Sequence, residues 1–140
     1  MGRKKFGQEE VLVPILFGEL TTSIVKNMKK EVKILLNSGA SGSIVKEQLV
    51  SRFKHVPSEN CTWRTMAGSF TTTSKCVVEF ILPKLNPTAK IKQKLHVVPK
   101  MSKYDIILGR DVMQKLGINL DFKDKVFIME VYAIYSICFS

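Results

Sequence analysis

The 140 residues are poor in the side chains that build metal sites and disulfide frameworks. Histidine occurs twice, at His55 and His96, and cysteine three times, at Cys61, Cys76 and Cys138. An odd number of widely spaced cysteines implies no disulfide scaffold, and no zinc-ligand spacing appears beside the histidines. The thiols are therefore expected to be reduced, in an intracellular, cytoplasmic setting. No metal ligands and no cofactor are expected. Long apolar runs are also missing. The stretch from Val126 to Phe139 is mostly apolar but carries Glu130, and at about 14 residues it falls short of the ~20 needed to cross a bilayer. No signal peptide follows Gly2-Arg3-Lys4-Lys5. A membrane partner is not expected.

Acidic residues are scarce relative to basic ones, 12 against 22, leaving a net charge of +10. Such an excess can mark a nucleic-acid partner. No basic motif interleaved with aromatics is present, so a solvated basic face is the simpler account and direct nucleic-acid binding is not expected. A steep fall of affinity with salt would be the mark of the other case. The length suits one compact domain, and 45% apolar residues can supply its core.

Turn residues divide the chain into many short strands. Residues 1–9 read as a basic arm with a frayed end at Met1–Gly7. Val11 to Phe17 is apolar but interrupted by Pro14, which suits an edge strand or entry arm. Ile24–Lys26 and Val32–Leu36 flank a polar turn at Asn27–Lys30 and predict a hairpin. Ile44, Val45, Leu49, Val50 and Phe53 have helical spacing and predict a short helix. The segment Thr62–Thr73, with Ala67-Gly68 at its middle, predicts a protruding hairpin. Cys76–Leu82 and Ala89–Val97 predict two more strands. In the second, Ala89, Ile91, Leu95 and Val97 alternate with Lys90, Lys92, Lys94 and His96, the pattern of a sheet wet on one face. Tyr104–Leu108 predicts a buried strand. Arg110–Leu116 predicts a helix capped by Gly117. Ile118–Phe122 and Val126–Met129 predict a last hairpin. The sum is an all-β, barrel-like domain with one or two short helices.

Three separated segments carry the chemistry. They are Leu35-Leu36-Asn37-Ser38-Gly39-Ala40-Ser41, Trp63 to Phe70, and Tyr104-Asp105-Ile106-Ile107-Leu108-Gly109-Arg110-Asp111. The first resembles the hydrophobic-hydrophobic-Asp-Ser-Gly-Ala-Ser loop of retropepsins, with Asn37 in place of the aspartate. The second resembles their flap hairpin. The third resembles their hydrophobic-hydrophobic-Gly segment and the Arg-containing helix after it. The likeness runs in the family's order over about residues 10–130, leaving 131–140 as an apolar tail that matches no segment of the family.

The resemblance implies a retropepsin-like acid-protease closed barrel with a flap hairpin, assembled as a homodimer that shares one active site and acts on a polypeptide. It implies an aspartic endopeptidase domain for processing a retrotransposon polyprotein, in the cytoplasm or a virus-like particle. Asn37, Ser38 and Gly39 would hold the catalytic position. Ala40, Ser41, Met66, Ala67 and Gly68 would meet the substrate. Leu108, Gly109, Arg110 and Asp111 would support the site. Plainer readings remain open: Gly109 as a helix-entry turn, Arg110 and Asp111 as a surface pair, and Trp63 as a core residue. Asparagine has the shape of aspartate but cannot accept the proton of a catalytic water. The chain as written is therefore expected to be silent, a pseudoenzyme. The alternative is a non-catalytic dimeric peptide-binding module derived from the same fold.

Overall fold

A computed structural model describes residues 2–5, 14–23, 25–65, 68–101, 103–121, 126–129 and 136–138. The elements are β1 (Gly2–Lys5), β2 (Ile15–Ser23), β3 (Met28–Leu36), β4 (Ile44–Lys46), α1 (Glu47–Val50), β5 (His55–Thr65), β6 (Gly68–Leu82), β7 (Asn86–Val98), β8 (Ile106–Leu108), α2 (Arg110–Leu116), β9 (Ile118–Asp121), β10 (Val126–Met129) and β11 (Ser136–Cys138). No helix among the described residues is long and apolar enough to cross a membrane.

The large sheet runs β11-β7-β4-β8-β3-β2-β6-β5, and β6 also pairs with β7. That second pairing closes six strands into a barrel. Closure lets most strands bury an apolar face on one interior. Leu20, Ile34, Leu36, Val45, Phe80, Leu82, Ile91, Leu95, Ile106 and Leu108 fill it, each essentially without exposure. Burying a side chain of this size stabilises the fold by about 1.5–3 kcal/mol. On β7 the alternation read from the sequence is present: Ala89, Ile91, Leu95 and Val97 are buried, and the lysines between them are not. Gln93 shares the buried face, and among the described residues its Oε1 finds no hydrogen-bond partner.

Three local expectations are corrected. The first hairpin exists, but its leading strand is β2 rather than Ile24–Lys26. The turn falls at Val25–Asn27, where Val25 is 96% exposed and Asn27 takes a left-handed φ of 51°. Pairing of Ile15 with Leu35 and of Gly18 with Val32 fixes this register and carries the apolar faces of both strands inward. The helix expected from Ile44 begins only at Glu47. Ile44 and Val45 instead form β4, parallel to β7 and antiparallel to β8, so that both are buried. Two consecutive buried apolar residues imitate helical spacing when both faces of a strand are covered. Finally, Gly2–Lys5 is no frayed end: it pairs antiparallel with β10, which pairs with β9. Within the apolar tail, β11 lies parallel to β7 at Lys90–Lys92.

α2 starts and stops where expected. Gly117 takes the left-handed conformation, and its N–H reaches the Gln114 carbonyl at 3.2 Å.

Candidate active site

The loop after β3 is held by backbone before any side chain acts. The Asn37 N–H donates to the Leu108 carbonyl at 2.9 Å, continuing the parallel ladder between β3 and β8. The Ala40 N–H donates to the Asn37 carbonyl at 3.1 Å and closes a turn, while the Arg110 N–H donates to the Ala40 carbonyl at 2.8 Å. The loop is thus sewn to the third segment at both ends.

Gly109 sits where the two meet. A Cβ there would lie 2.2 Å from the Gly42 carbonyl oxygen and 2.7 Å from that of Ala40. Only glycine allows this approach. Its N–H donates to the Ser43 hydroxyl at 2.8 Å, and Ser43 in turn donates to Asp111 Oδ1 at 2.7 Å. The same carboxylate oxygen accepts the Val112 N–H at 2.7 Å. Asp111 is therefore a brace between the loop and α2, and not half of a surface pair with Arg110. The Arg110 guanidinium reaches the Ser38 carbonyl at 3.4 Å. Gly109 is more than a helix-entry turn.

Within the loop, Asn37 Oδ1 accepts the Gly39 N–H at 3.0 Å. Its half-buried side chain lines an open cleft of about 510 Å³. Ala40, Gly42, Ile44 and Ile107 line the same cleft on the barrel side. Gly68, Ser69 and Phe70 line it from the hairpin of β5 and β6. Gly68, at a φ of 125°, occupies a region that side chains avoid. Met66 and Ala67 lie outside the described residues. Ser38, Gly39 and Ser41 are exposed and do not line the cleft, and neither do Leu108, Gly109, Arg110 and Asp111, which stand behind the loop.

Trp63, for which a core position is the plainer reading, lines the cleft. Its ring lies against Gly42, where a Cβ would come within 2.7 Å of the indole, and it stacks with Phe70 at 6.1 Å between centroids. The indole N–H donates to the Thr72 hydroxyl at 2.9 Å, and that hydroxyl lies 3.3 Å from His96 Nδ1. The His96 ring meets the indole edge-on at 5.2 Å. Burial lowers the His96 pKa, the Lys75 charge lowers it further, and Asp111 opposes them. In the neutral tautomer with Nδ1 unprotonated, the imidazole accepts the Thr72 O–H, completing a chain from indole to hydroxyl to ring nitrogen. Sequence reasoning held the signal for Trp63 in the hairpin itself. Thr65 pairs with Gly68, so counting outward from the turn sets Trp63 opposite Phe70.

Asp105 stands behind β3 and β4, away from this chemistry. Burial raises its pKa, but the hydrogen bond and charge of Lys46, the Lys33 N–H and the Lys30 charge outweigh that and hold it below the ordinary carboxylate value. No cluster of three or more metal-ligating side chains occurs among the described residues. Cys61 and Cys76 are free thiols, and burial pushes the Cys76 thiol up to about 11.

With that geometry in place, solved structures identify the architecture. The EIAV protease complexed with the inhibitor HBY-793 matches with a TM-score of 0.57 at 18% identity, covering 83% of this chain and 99% of that one. The retroviral protease-like domain of Ddi1 from Leishmania major matches with a TM-score of 0.54 at 17% identity, over 84% and 90% of the two chains. A retropepsin-like aspartic protease from Rickettsia conorii matches with a TM-score of 0.54 at 15% identity, over 91% and 89%. The fold is the all-β, closed-barrel, retropepsin-like fold. No protein-family model and no curated protein matches the sequence.

Proposed function

We propose that the chain is an aspartic-endopeptidase domain of the retropepsin type, of the kind that processes a retrotransposon polyprotein, and that Asn37 leaves it catalytically silent. One observation carries the reading. Asn37 follows β3 beside Leu108-Gly109, accepts the Gly39 N–H on its Oδ1, and faces a cleft roofed by the β5–β6 hairpin. In the mechanism that this fold serves, two such loops meet across a two-fold axis and their carboxylates hold a water. Two carboxylates that close cannot both ionise, so one acts as acid and the other as base. The base takes a proton from the water as it attacks the peptide carbonyl, and the acid protonates the carbonyl oxygen.

The Gly39 N–H would favour an ionised carboxylate at position 37. To an amide it offers only orientation. Loss of one positioned acid–base group costs about 10²–10⁴-fold in rate, and a homodimer loses both at once. A second reading, a dimeric module that binds peptides without cutting them, is favoured by the apolar wall of Trp63 and Phe70 standing ready beside Asn37.

The test is peptide cleavage at acid pH by the chain as written and by Asn37→Asp. We expect no turnover from the first and pepstatin-sensitive cleavage from the second. Cleavage by the unaltered chain would overturn the silence. Inactivity of both, with dimers confirmed, would overturn the mechanism. Binding of a peptide analogue without turnover separates the second reading from a chain that has lost ligand binding altogether.

A further inference from the structure

The cleft carries charge of one sign. Arg64, Lys100 and Lys103 line it, all three exposed, and among the described residues no aspartate or glutamate does. Among the described residues none of the three forms an ion pair, and Lys103 rests its ammonium 5.8 Å from the centre of the Tyr104 ring. The acids on the neighbouring segment are engaged elsewhere: Asp105 is paired with Lys46 at 2.6 Å, and Asp111 is bonded to Ser43. Position 37, where a carboxylate would offset the cations, holds a neutral amide. The walls between are apolar, supplied by Trp63, Phe70 and Ile107.

We propose that this cleft selects acidic peptide segments, with an apolar residue seated against Trp63 and aspartate or glutamate side chains reaching Arg64, Lys100 and Lys103. The inference rests on the peptide-binding reading above and adds the class of ligand. Each exposed pair is worth little alone. A cleft lined by one sign of charge focuses the field, so several small terms act together on affinity and on the rate of encounter. Substituting Asn for Asp at position 37 works in the same direction as the cations.

The experiment uses the full chain as written and fluorescence anisotropy of three labelled peptides. They share an apolar centre and differ in flanks of Glu, Gln or Lys. We expect the Glu peptide to bind about tenfold tighter than the Gln peptide in low salt, with the gap closing as salt screens the charges. Combined Arg64→Gln, Lys100→Gln and Lys103→Gln should abolish the preference. Combined Lys26→Gln, Lys29→Gln and Lys84→Gln, which removes the same charge from exposed positions outside the cleft, should keep it. Single substitutions at Lys100 and Lys103 give the same direction should the triple variant fold poorly. Equal affinity for Glu and Gln peptides overturns the proposal and leaves peptide binding standing. Equal weakening by both triple variants also overturns it, as a general effect of net charge. Binding of none of the peptides removes the peptide-binding reading and this proposal with it.

Discussion

Asp105 and Lys33 bond each other twice: the Lys33 N–H donates to Asp105 Oδ2 at 2.8 Å, and the Asp105 N–H donates to the Lys33 carbonyl at 2.9 Å. The other carboxylate oxygen meets Lys46 Nζ, so one side chain ties β3 to β4 just ahead of β8. Because the folded pKa is depressed, the stabilisation is present above the ordinary value of 3.8 and is lost as pH falls through the folded value. Asp105→Ala should cost about 1.5–3 kcal/mol at pH 7 and less near pH 2. Urea unfolding at the two pH values checks this, and a pH-independent loss would contradict it.

Trp63 is the only tryptophan in the sequence, so its fluorescence reports on His96 directly. Protonation of the His96 ring places a cation against the indole edge and, in the tautomer with Nδ1 free, removes the acceptor for Thr72. Emission should therefore titrate with a midpoint below 6.5, since burial and Lys75 disfavour the charged ring. His96→Gln should abolish the titration. A midpoint above 6.5 would contradict the arrangement.

Gly109→Ala should destabilise the chain by about 3 kcal/mol, since its methyl group meets two backbone carbonyls that cannot rotate away. Thermal unfolding checks this. The exposed face of α2 should tolerate change better: Gln114→Ala is expected to shift stability by less than about 0.5 kcal/mol.

Ser43→Ala leaves the buried Gly109 N–H without its acceptor and Asp111 Oδ1 with only the Val112 N–H. A cost of about 1–3 kcal/mol follows from the stranded N–H. Amide exchange at Gly109 should quicken more than exchange in β6, which identifies the loss as local.

The sequence disclosed some of this better than the rest, for physical reasons. α2 was legible because its apolar residues repeat at helical spacing and Gly117 caps it. β7 was legible because a sheet wet on one face writes lysines and apolar residues in alternation. β1 was not, since Arg3-Lys4-Lys5 has no alternation and pairs with a strand more than a hundred residues away. β4 was misread as helix because both its faces are covered. Asn37 and Gly109 stood out through the segments around them. Ser43 gave no sign, because one serine in a serine-rich loop looks like any other until Gly109 and Asp111 arrive from the far end of the chain.

The ladder between Leu36 and Leu108 has a consequence for synthesis. A chain emerging from the ribosome can form the β2–β3 hairpin early, but the loop at Asn37 has nothing to hang from until Leu108 and α2 are out. Pairings this distant in sequence make folding slow. Nascent chains released before residue 106 should therefore carry the first hairpin and no cleft, and would be the first targets of quality control.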